Sequence, residues 1–159
     1  MSAEERATVM VVDDEEMVVS SLRFFLELET EYRVAAFTSP AAALRYLEEQ
    51  DVDVVVSDYL MPEMDGLRFL ARVREIRQEV PRIILTGYAD KENAIKAINE
   101  IGLYQYLEKP WNNEDLRIIL RNGIEKRRLL RRLQEKVSEI NRTYGELQGI
   151  QNELLKAFA

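Results

Sequence analysis

Over the first 110 residues, short apolar runs alternate with segments whose apolar residues recur every three or four positions. Thr8-Val9-Met10-Val11-Val12 predicts a buried strand that ends in Asp13-Asp14. Residues 16–28 have Val18, Leu22, Phe25 and Leu26 on one side of a helix, and 32–37 predicts a second strand. Ser39-Pro40 has the form of a helix start, Ser as cap and Pro in the first turn, with Ala43, Leu44 and Leu47 turned inward. Val52-Asp53-Val54-Val55-Val56-Ser57 predicts a third strand, its valine content suiting a parallel strand covered on both faces. A loop, Asp58 to Gly66, leads to a helix carrying Leu67, Leu70, Val73 and Ile76. Residues 82–86 predict a fourth strand, 91–101 a fourth helix and 103–107 a shorter fifth strand before Lys109-Pro110.

Five strand–helix repeats with short links predict an α/β fold, a parallel sheet wound by helices on both faces. In such sheets ligands gather at the carboxyl ends of the strands. That rule brings Asp13, Asp14, Asp58, Thr86 and Lys109 to one edge. From Asn113 the pattern becomes one long helix. Leu130, Leu133, Val137, Ile140, Tyr144, Leu147, Gln151, Leu154 and Phe158 step by three and four, a heptad seam with Gln151 as its one polar member. The expected boundaries are a domain over 7–125 and a coiled-coil helix over 126–159, continuous with the fifth helix of the fold. A long apolar stripe asks for a partner helix. A parallel homodimer through residues 126–158 is expected, with antiparallel and four-helix pairing as the alternatives.

Composition removes several function classes. The 159 residues include no Cys and no His, which excludes disulfides, thiolate metal sites and histidine acid–base chemistry within the chain. Net charge is −7, but residues 1–112 hold 12 basic and 22 acidic side chains while 113–159 hold 10 and 7. The acidic body would repel nucleic acid. The basic stretch Lys126-Arg127-Arg128 with Arg131-Arg132 predicts a solvated helix face, and Trp111 a packing residue. The acidic start lacks the features of a signal peptide, and no apolar run approaches the roughly 20 residues that span a bilayer. A cytoplasmic, soluble protein without membrane partners is the expectation.

Three carboxylates at one point repel each other unless a cation joins them. Carboxylate, carbonyl and water are the ligands Mg²⁺ prefers. A lysine and such an ion can offset charge on a transferring phosphoryl group, and an Asp carboxylate can receive it as an acyl phosphate. The Thr86 hydroxyl can donate to a phosphoryl oxygen.

Together, strand-Asp13-Asp14, strand-Asp58-x-x-Met61-Pro62 with Asp65-Gly66, Thr86-Gly87 and Lys109-Pro110 resemble the receiver domains of two-component response regulators, the CheY-like superfamily, over roughly residues 7–125. The resemblance implies a flavodoxin-like sheet of order 2-1-3-4-5. It implies Asp58 as phosphoacceptor, and Mg²⁺ held by Asp14 and Asp58 directly, by Asp13 mainly through water, and by the Leu60 backbone carbonyl. Thr86 and Lys109 would contact the phosphoryl group, Tyr106 would change rotamer with Thr86, and Lys109-Pro110 would be cis. Leu60 and Tyr88 would tune loss of the phosphoryl group. The implied phosphoryl donor is a sensor histidine kinase or phosphotransfer protein, and the implied product is a signal to an output domain or effector rather than enzymatic turnover. Residues 107–116 look like receivers that precede cyclic-dinucleotide phosphodiesterase, cyclase or phosphatase outputs. The rival reading is a Mg²⁺-dependent hydrolase of the haloacid dehalogenase type with an Asp nucleophile. Those enzymes carry Asp-x-Asp after the first strand, whereas here the pair is adjacent and the lone Asp follows the third.

Overall fold

The three central strands of the sheet are rich in valine and isoleucine and buried on both faces, while the two edge strands are only partly buried. The computed structural model describes residues 6–158, the side chain of Tyr88 excepted. The strands are β1 (Thr8–Val12), β2 (Arg33–Phe37), β3 (Val54–Asp58), β4 (Arg82–Thr86) and β5 (Gln105–Glu108). Between and after them run α1 (Glu16–Glu29), α2 (Pro40–Glu49), α3 (Gly66–Ile76), α4 (Lys91–Glu100) and α5 (Asn113–Ala157), with a 3₁₀ turn at Tyr88–Asp90. All pairings are parallel and the order is β2-β1-β3-β4-β5, as expected. Such a chain cannot close hairpins, so each crossover carries a helix and buries it.

Alternation along the strands divides the core in two. Met10, Val12, Val55 and Ile84 face α2, α3 and α4, where Ala43, Leu47, Phe69, Leu70 and Val73 join them. Val9, Val11, Val54, Val56, Ile83 and Leu85 face α1 and α5, meeting Leu22, Leu26, Leu116, Leu120 and Ile124. Trp111 packs against this second cluster, the role expected of it.

Local chemistry starts the helices as the sequence implies. Ser39 Oγ accepts from the Ala42 N–H with Pro40 in the first turn, and Asp65 Oδ1 accepts from the Arg68 N–H. By contrast, α4 has no side-chain cap and buries only Ala94 and Ala97. Its far end is held by Arg82, a 4%-exposed residue whose guanidinium donates to the carbonyls of Leu70, Ile101 and Gly102.

Several expectations need adjustment. In α3 the deep anchor is Phe69, fully buried, whereas Leu67 and Ile76 are half-buried. In α1, Val19 replaces Val18 and Phe25 among the buried positions. The third strand begins at Val54 and takes in Asp58, and the fifth begins at Gln105, because Leu103 follows the left-handed turn at Gly102 and lies outside the ladder.

The chain divides into two compact units, one to Glu125 and one from Lys126. In the second, α5 leaves its seam in solvent: Leu133, Ile140, Tyr144 and Leu147 are each about 60% exposed. The basic stretch is not wholly solvated, since Arg127 is buried. No helix among the described residues is long and apolar enough to cross a membrane.

Candidate functional site

The strand ladders continue one residue beyond the strands and so fix the site. The Asp13 N–H donates to the Phe37 carbonyl at 3.2 Å, Tyr59 N–H to Leu85 at 3.0 Å, and Lys109 N–H to Thr86 at 2.8 Å. Each bond ties the exit of one strand to the last turn of its neighbour, which holds the intervening side chains on one edge.

There the predicted acids meet. Carboxylate oxygens of Asp13, Asp14 and Asp58 all lie within 4.8 Å of one another. Lys109 Nζ pairs with Asp58 Oδ1 at 2.7 Å and stands 4.0 Å from Asp13 Oδ2. Asp13 and Asp58 are buried and Asp14 is exposed, so the cluster is open on one side. Asp13 divides its oxygens between two tasks. Oδ1 accepts from the Glu15 N–H at 2.9 Å, opening α1, while buried Oδ2 accepts no hydrogen bond.

The electrostatics follow from this packing. Burial, aided by the charges of Asp58 and Asp14, raises the Asp13 carboxyl from about 3.8 to about 6, against the Glu15 N–H and Lys109. For Lys109 burial acts downward, but the hydrogen bond and charge of Asp58, with Asp13 and Glu15, outweigh it and raise the amine. An acid cluster with an unmet buried oxygen and one open side fits a divalent cation.

Further residues shape the pocket. A Cβ on Gly66 would overlap the Asp58 carbonyl oxygen and lie 2.9 Å from its carbon; the Gly66 N–H donates to Tyr59 O at 2.7 Å. Only glycine permits α3 to start this close, and the Asp65-Gly66 pair was its signal. Leu60 is 63% exposed beside Asp58, while Met61 turns into the core. Thr86 is fully buried, its hydroxyl donating to the Gly87 carbonyl at 3.0 Å. Tyr106 is half-buried on the same sheet face, opposite Ile84. Lys109-Pro110 is cis. The Tyr88 side chain lies outside the described residues.

Comparison with known proteins gives the family. A family model described as the response regulator receiver domain matches residues 9–121. The hydrogenase transcriptional regulatory protein HoxA of Cupriavidus necator is 40% identical over 123 residues, 77% of this chain and 25% of that protein. A response regulator receiver domain protein from Clostridium thermocellum superposes with a TM-score of 0.73 at 36% identity, covering 78% of this chain and 98% of that one. The signal receiver domain of an HD domain-containing protein from Pseudomonas fluorescens gives 0.72 at 34% identity, covering 78% and 98%. The chain therefore belongs to the receiver-domain family of response regulators and carries a two-component signalling domain. It spans about a quarter to a third of the curated relatives it matches.

Proposed function

We propose that Asp58 accepts a phosphoryl group from the phosphohistidine of a sensor histidine kinase or phosphotransfer protein. The P–N bond breaks, a P–O bond to the Asp58 carboxylate forms, and the neutral imidazole leaves. The observation that carries this reading is Lys109 Nζ 2.7 Å from Asp58, beside an acid cluster whose Asp13 Oδ2 lacks a hydrogen bond. Asp13, Asp14, Asp58 and the Leu60 carbonyl would hold Mg²⁺, which supplies positive charge to the phosphoryl oxygens. Lys109 keeps its proton there and offsets charge on the same oxygens.

Phosphorylation then draws the Thr86 hydroxyl away from the Gly87 carbonyl, and Tyr106 follows on the same face. The surface of α4, β5 and α5 changes, and α5 transmits the change to an output domain or effector. Its exposed seam is covered by a second copy of the chain. The protein works in the cytoplasm as a stoichiometric acceptor.

Incubation with acetyl phosphate and Mg²⁺ tests the acceptor. One phosphoryl group per chain, mapped to Asp58 and absent in Asp58→Asn, is expected. Continuous release of phosphate in many turnovers, or labelling elsewhere, would refute it.

A further inference from the structure

The side chains around the α5 seam decide how two copies would lie together. With Leu130, Val137, Tyr144, Gln151 and Phe158 at heptad position a, Leu133, Ile140, Leu147 and Leu154 fall at d. Every charged residue from Arg131 to Lys156 then falls at b, c or f, except Lys136 at g. Positions e and g otherwise carry Leu129, Gln134, Asn141, Thr143, Gln148, Ile150, Leu155 and Ala157. The flank that usually selects orientation by charge is almost neutral here, so orientation falls to other residues.

Two independent features point one way. Gln151 is the only polar seam residue, and a buried amide opposite an apolar side chain loses its hydrogen bonds. In a parallel, aligned pair it meets its own copy, and the two amides bond each other. An antiparallel pair centred on the seam, where a layers meet d layers, sets it against Ile140. The second feature is apolar flank. Ile150 at g and Leu155 at e are 55% and 64% exposed, though neither belongs to the seam. In a parallel pair each g residue neighbours the e residue five positions on in the other chain. Ile150 of each copy thereby covers Leu155 of the other, on both sides of the seam.

We propose that residues 126–158 pair with a second copy in parallel and in exact register, with Gln151 as the aligning layer. This rests on the reading that a second copy covers the seam.

The chain has no cysteine, so single cysteines report alignment without background. Full-length Val137→Cys and Leu154→Cys chains, whose sites would face each other only in the antiparallel pair, carry different tags and are mixed, unfolded, refolded together and oxidised in a glutathione buffer. Same-site disulfides are expected to exceed mixed ones by roughly tenfold or more, the ratio set by one unmet buried amide. Predominant mixed disulfides would overturn the parallel assignment. Adding Gln151→Leu to both chains is expected to raise the mixed product, and an unchanged ratio would remove Gln151 from its aligning role. Sedimentation equilibrium on the same samples separates the failures. Monomers overturn the pairing itself, dimers with mixed disulfides overturn only its direction, and phosphoryl labelling of Asp58 depends on neither.

Discussion

Replacing Asp13 by Asn removes a buried charge that the metal-free protein carries at a cost. The folded carboxyl ionises near 6 and an unfolded one near 3.8, a gap of about two units. At about 1.36 kcal/mol per unit, this is roughly 3 kcal/mol. The sign follows from the raised value. Below 3.8 both states hold the proton and nothing is lost. Between 3.8 and 6 the unfolded acid releases its proton first, so stability falls as pH rises, and above 6 the full penalty persists. In Asp13→Asn the amide oxygen still accepts from the Glu15 N–H, and the new N–H groups face the acids of Asp58 and Asp14. A gain of about 1 to 3 kcal/mol at pH 7.5 is expected, allowing for an imperfectly met amide. The assay is urea unfolding followed by circular dichroism in EDTA at pH 4, 5, 6 and 7.5. The wild-type minus variant difference isolates this residue from the other carboxylates. Mg²⁺ narrows the difference, and reverses it where the gain in EDTA is small, since at 100 times its Kd it stabilises the wild type by about 2.7 kcal/mol and the variant by much less. A variant no more stable than wild type in EDTA, or a flat difference between pH 4 and 6, would refute the reasoning.

Gly66→Ala should push α3 away from the Asp58 carbonyl, lowering stability by about 2 kcal/mol or more and slowing acetyl-phosphate labelling, measured by urea unfolding and intact mass. Gly145→Ala and Gly149→Ala meet open space on a helix and lie off the seam, so each should add up to roughly 1 kcal/mol, read as a higher thermal midpoint of the helical signal. A chain ending at Glu125 should keep its phosphoryl labelling and sediment as a monomer; dimers of it would place self-association in the first unit.

The site was legible because topology and residue type agreed. Any parallel sheet delivers Asp13, Asp58, Thr86 and Lys109 to the same edge, whatever their exact strand boundaries. Arg82 was not legible. A charged residue at a strand start has the pattern of an exposed one, and its carbonyl acceptors lie 12 to 20 positions away. Phe69 was hidden for a related reason. Leu67, Leu70, Val73 and Ile76 make a helical stripe by themselves, and only the volume between α3 and the sheet selects the aromatic. Asp13 was read as a metal ligand, while the structure gives one oxygen to the α1 entrance and leaves the other unmet.

The thin contact of α4 has a consequence for the resting protein. Its first turns commit one buried methyl side chain, Ala94, and a partly exposed Lys91–Glu108 pair at 3.4 Å, whereas Arg82 clasps the opposite end. The front of α4 is therefore held by less buried side-chain surface than its far end, and displacing it costs less than displacing the end that Arg82 holds. If Thr86 moves as proposed, the end of α4 nearest to it is the end with the least to give up.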